Sequence, residues 1–92
     1  MFINIGFGNF INAQQIISIS RSDSAPMKRL VQTAKENGNV IDATQGRKTK
    51  TILVMTSGHI VLSALLPDTI ANRFEGKNTC IDDIRKEEYE NE

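Results

Sequence analysis

The 92-residue sequence holds one histidine and one cysteine, so side chains with ready nucleophilic or metal-binding chemistry are few. His59 follows Ser57-Gly58, a turn signal, and no second His or Cys is spaced to share a metal with it. Cys80 falls at the start of a polar stretch, with no base nearby to lower its pKa. Asp42 and Asp68 belong to separate elements; Asp42 is expected to cap or anchor the loop that follows it. Gly6-Phe7-Gly8-Asn9 has the glycines of a phosphate cradle. It lacks the further glycines, the lysine and the following helix that a nucleotide loop needs, so it reads as a turn between strands. No catalytic residue, metal site or cofactor is expected, no small-molecule ligand is evident, and the chain is not read as an enzyme.

Charge is the more informative chemistry. Gly46-Arg47-Lys48-Thr49-Lys50 places three cations in four positions beside a flexible glycine, a composition suited to phosphate contact. An arginine on such a loop can also reach base edges or a narrow minor groove. Thr44, Thr49 and Thr51 would add hydroxyl donors. The blander reading is a solvated hairpin loop kept basic for solubility. Arg21, Lys28 and Arg29 flank Pro26 near the start of a predicted helix, where the helix dipole favours an anion. If that helix start lies near the basic loop, the two make one site for an anionic backbone. The four Phe and one Tyr are not interleaved with these cations, which argues against a stacking platform for single strands. No helix-turn-helix, zinc or basic-zipper pattern is present.

The elements that must position these residues follow from hydrophobic spacing. Phe2-Ile3-Asn4-Ile5 is a short opening strand, and Phe10 to Ser20 a second, isoleucine-rich strand whose polar middle (Asn12, Gln14, Gln15) is open to three readings: a bulge, a solvent-facing stretch or a contact for a partner. Asp23 or Ser24 caps a helix with Pro26 in its first turn. Met27, Leu30, Val31 and Ala34 give it one apolar face, and Asn37-Gly38 stops it. Strands are expected over Val40–Thr44, Thr51–Met55 and His59–Leu65, the last two joined by a tight turn at Ser57-Gly58. A short helix opens at Pro67 or Asp68, docks through Ile70, Ala71 and Phe74, and ends at Gly76. The expected fold is therefore α+β in ββαβββα order, a mostly antiparallel sheet with the long helix on one face. The short helix alone cannot cover the other face, and a second copy of the chain is the simplest cover.

Length permits one domain, read as residues 1–76, with an acidic and disordered tail over 77–92 or, alternatively, a weak amphipathic helix around Ile81 to Tyr89. The net charge of zero hides an asymmetry: eight cations against five acids before residue 77 (+3), three against six after it (−3). A polyanion partner fits that division, as does a self-masking tail; the blander reading is that a body charge of +3 is ordinary. The single cysteine fits a reducing cytoplasm. The longest apolar stretch, Ile60 to Leu66, is far short of the roughly 20 residues of a membrane helix, so no membrane association is expected.

Several blocks resemble one known family in order: Phe2 to Asn9, Ser24-Ala25-Pro26-Met27-Lys28-Arg29, Ile41 to Thr49, and His59-Ile60-Val61-Leu62-Ser63. They are similar to the RemA family of bacterial extracellular-matrix (biofilm) regulators, from about residue 2 to residue 74. The resemblance implies a transcriptional regulator without a standard DNA-binding motif, assembled into a homo-oligomeric ring whose basic surface holds duplex DNA. It implies DNA contact through Arg47 and Lys48 on the loop and through Pro26 at the helix start. The family also uses an arginine in the second strand. Gln15 occupies the matching place here, which removes one charge per protomer, with Arg21 and Lys50 as the nearby cations. The expected DNA-binding set is therefore Arg47, Lys48, Lys50, Lys28, Arg29, Arg21, Pro26 and Gln15. An oligomeric protein-binding adaptor and an RNA-binding module are the alternatives.

Overall fold

The computed structural model describes residues 1–74, arranged as an α+β fold with two helices and two sheets. Strands β1 (Phe2–Asn4) and β2 (Phe10–Asn12) form an antiparallel hairpin. Its turn is the glycine motif: Gly6, Phe7 and Gly8 all have positive φ, and Asn9 N–H donates to Gly6 C=O at 3.0 Å. Then come β3 (Ile16–Arg21), helix α1 (Ala25–Glu36), β4 (Val40–Asp42), β5 (Thr51–Met55), β6 (Ile60–Ser63) and helix α2 (Pro67–Phe74). The second sheet has the order β3-β5-β6-β4.

One expectation about topology is corrected and another holds with an exception. The stretch from Phe10 to Ser20 is not one strand: its polar middle folds into a 3-10 turn at Ala13–Gln15, started by the Asn12 carboxamide oxygen accepting Gln14 N–H at 3.0 Å. The element order is therefore βββαβββα. A register shift between Ile16 and Ser18 adds a bulge at Ile17, so the distortion has two parts. Pairing is mostly antiparallel, as expected, with one exception. β4 pairs with β6 in parallel, because α1 carries the chain from one edge of the sheet to the other before β4 begins.

Alternation along the central strands builds a core on each side of the sheet. Ile52, Ile60 and Leu62 pack with Ala34 of α1, together with Met27 and Val31. Leu53 and Val61 point the other way, into a cluster with Ile3, Ile5, Leu65 and Ile70. The β1–β2 hairpin and α2 thus cover the second face from within the chain, and no second copy is needed for it. Three hydroxyl bonds link these layers. Ser63 Oγ donates to Ile5 C=O at 2.8 Å and accepts Leu65 N–H at 3.1 Å, and Thr51 Oγ1 donates to Leu65 C=O at 2.6 Å. Leu30 and Phe74 do not join the core; they are 37% and 41% exposed. The apolar stripe of α1 is narrower than its spacing suggests: Met27, Val31 and Ala34 pack on the sheet. Gly76 and the whole of 77–92 lie outside the described residues.

Candidate nucleic-acid interface

The basic loop is built at both ends by hydrogen bonds. Asp42 Oδ1, at the end of β4, accepts Thr44 N–H at 2.9 Å and Thr44 Oγ1–H at 2.6 Å. These bonds, the hydroxyl first, hold the Asp42 carboxyl below its ordinary range. Arg47 N–H then closes a turn on Thr44 C=O at 2.9 Å. Gln45 and Gly46 both have positive φ (53° and 79°), the requirement of a type I′ turn. Beyond it, Lys50 N–H donates to Ser63 C=O at 2.9 Å. Ser22, just past β3, fixes the other side: its Oγ donates to Thr49 C=O at 2.8 Å and its N–H to Lys50 C=O at 3.3 Å.

Two grooves flank this loop. One, of about 480 Å³, runs between the loop and α1. Lys28, Gln32 and Lys35 line its helix side, Lys48 and Thr49 its loop side, and Val31, Ile52 and Leu62 its apolar floor. The other, of about 470 Å³, lies between the loop, the end of β3 and the start of α2, with Arg21, Lys48 and Lys50 along it. Ser22, Asp23, Lys48 and Thr49 belong to both. Helix start and basic loop therefore meet across one surface. Ser24 Oγ caps α1 by accepting Met27 N–H at 3.3 Å, with exposed Pro26 in the first turn.

The remaining expected residues are placed unevenly. Arg47 is exposed at the tip of the loop. Arg21 is exposed but paired with Asp23 at 2.8 Å. Arg29 is exposed on α1 and lines neither groove. Gln15 stands apart, before β3, so at about 3.3 Å per residue the strand separates it from Arg21 by about 20 Å. It lies in a third recess with Met55 and His59, where its backbone C=O accepts Thr56 N–H at 2.8 Å and its side-chain oxygen accepts the Thr56 hydroxyl. Of the three threonines, Thr44 and Thr51 are buried and their hydroxyls are engaged with Asp42 and Leu65; Thr49 is the one beside the grooves.

Two residues were missed from sequence. Lys35 lies two turns from Lys28, and the spacing Lys28, Gln32, Lys35 (i, i+4, i+7) is a readable polar stripe. Ser22 carries no such signal, because its role depends on a partner 27 residues away. His59 Nδ1 lies 2.7 Å from Ser57 Oγ. Among the described residues, no group of three His, Cys, Asp or Glu side chains is placed to hold a metal ion, and no helix is long and apolar enough to cross a membrane.

Residues 2–74 match the RemA-like family, described as extracellular matrix regulatory protein A-like. Extracellular matrix regulatory protein A of Bacillus subtilis (strain 168) is 51% identical over 81 residues, covering 88% of this chain and 91% of that one. A relative in Lachnoclostridium phytofermentans, described as a candidate regulatory protein, is 63% identical over 71 residues, 77% of this chain and 78% of its own. One in Thermoanaerobacter sp. (strain X514), similarly described, is 46% identical over 90 residues, 98% and 94% of the two chains. With matched blocks running through both sheets, the loop and both helices, the chain belongs to the RemA-like family.

Proposed function

We propose that this chain is a DNA-binding transcriptional regulator of bacterial extracellular-matrix type, working in the cytoplasm as a homo-oligomeric ring of folded 1–76 units, each followed by an acidic tail. The observation that carries the reading is the shared groove: Lys28 and Lys35 on α1 face Lys48 on the loop across one surface. Cations from two elements along one groove suit a duplex backbone, which presents phosphates at regular intervals. In this reading Lys28, Lys48 and Lys50 neutralise phosphates, Arg47 enters a groove of the duplex, and Arg21 and Arg29 add charge at the margins. Pro26 fixes the helix start. Gln15 brings no charge to the surface.

Each protomer offers about three to five phosphate contacts, which is weak alone. Repetition around a ring converts such contacts into avidity on a single duplex. The double variant Arg47→Ala/Lys48→Ala tests the site. Both side chains are exposed, so the fold should be retained. The expected result is a loss of duplex affinity of about tenfold or more, with the salt dependence of log K reduced by about 0.9 for each phosphate contact removed. Unchanged binding and slope in fluorescence anisotropy would exclude this loop as the DNA contact.

A further inference from the structure

We propose that the acidic segment of residues 81–92 docks into the groove between α1 and the basic loop and competes there with DNA. This rests on the DNA reading for its consequence, though not for the docking itself. The groove is amphiphilic: Lys28, Lys35 and Lys48 rim a floor formed by Val31, Ile52 and Leu62. Asp23, which also lines it, is drawn toward Arg21. A duplex backbone satisfies the rim and leaves the apolar floor unused. The segment Ile81-Asp82-Asp83-Ile84 and the segment Glu87-Glu88-Tyr89-Glu90 each interleave acids with an apolar or aromatic side chain. They complement both parts of the groove at once.

Charge and reach agree. Residues 1–74 carry eight cations against four acids, and residues 75–92 carry three against seven, so the excess on each side is four and of opposite sign. The block Glu87-Glu88-Tyr89-Glu90 begins 13 residues after Phe74, a span of up to about 43 Å when extended. The longest dimension of the described molecule is 38 Å, so the groove is within reach of the segment's own protomer. Being tethered, the segment competes at a high effective concentration. A groove occupied nine-tenths of the time weakens apparent DNA affinity about tenfold.

The test uses the full chain. Carbodiimide, which joins adjacent carboxylates and amines, is applied at low salt and the products are mapped by mass spectrometry. Linkage of Asp82, Asp83 or the glutamates after residue 86 to Lys28, Lys35 or Lys48 is expected, and should diminish when salt is raised. Linkage only to Lys77 and Lys86, or none, would overturn the docking. In parallel, the variant Asp82→Asn/Asp83→Asn/Glu87→Gln/Glu88→Gln should bind duplex DNA up to about tenfold more tightly than the parent. Equal affinity would overturn the competition. If neither protein binds DNA, the functional reading fails, while the crosslinks still decide whether the groove holds the segment.

Discussion

At the scale of single residues, the loop depends on a carboxylate outside the expected DNA-binding set. Asp42 accepts two hydrogen bonds from Thr44, and those bonds fix where the turn carrying Arg47 begins. A hydrogen bond to a charged acceptor contributes more than a neutral one, but Asp42 is exposed and water competes for it, so Asp42→Ala should cost about 1 kcal/mol. The pH dependence has a definite sign. The folded-state pKa is depressed from the ordinary 3.8, so the stabilisation is fully present above that value and lost as pH falls through the lower, folded-state one. Urea unfolding should therefore separate the parent from Asp42→Ala at neutral pH. The two should converge once the pH has fallen through the lowered folded-state pKa of Asp42. A gap that persists there would mean the carboxylate does not anchor the loop. Ser22 has the corresponding role on the opposite strand, through the carbonyls of Thr49 and Lys50.

At the scale of elements, the turn and the helix show what sequence can and cannot reveal. Helix α1 was legible from Ser24, Pro26 and Asn37 because caps and stops are local chemistry. The hairpin at Ser57-Gly58 and the double-sided burial of β5 were legible for the same reason. The 3-10 turn at Ala13–Gln15 was readable only as an irregularity, since Asn12 caps it through a bond two residues away that a strand would not make. The parallel pairing of β4 with β6 was not legible, because it depends on how far α1 carries the chain across the sheet. Likewise the basic loop was visible as composition, whereas its approach to Lys28 and Lys35 required the fold. The turn at its head offers a test. Gly46 has φ 79° and open space where a Cβ would stand, so Gly46→Ala meets backbone strain without a clash. The expected cost is about 1–2 kcal/mol, lowering Tm by roughly 4–8 °C per kcal/mol in a domain of this size. Duplex affinity should fall with it as Arg47 loses its fixed direction. An unchanged melting curve would mean that the turn tolerates a side chain at this φ.

At the scale of the whole molecule, the proposed ring must find its contacts outside the two cores, because the hairpin and α2 already close the sheet from within. Exposed apolar residues remain at both edges of the four-stranded sheet: Ile17, on the bulge of β3, is 64% exposed, and Ile41, on β4, is 51% exposed. A closed ring is head-to-tail, so each copy must offer two different surfaces, one to each neighbour. Opposite edges of one sheet satisfy that geometry. Burying an isoleucine contributes about 1.5–3 kcal/mol, whereas a lysine in its place must be desolvated. Ile17→Lys and Ile41→Lys should each reduce the assembly to single chains in light scattering, with little effect on folding since neither side chain is buried in the protomer. Mixing the two variants gives a sharper result. Each keeps one intact surface, and the intact surface of one complements that of the other, so the mixture should form dimers and nothing larger. If the contact were instead a two-fold one, only one substitution would disrupt it, and mixing would restore nothing. Parental mass in both variants would exclude these edges as the ring contacts.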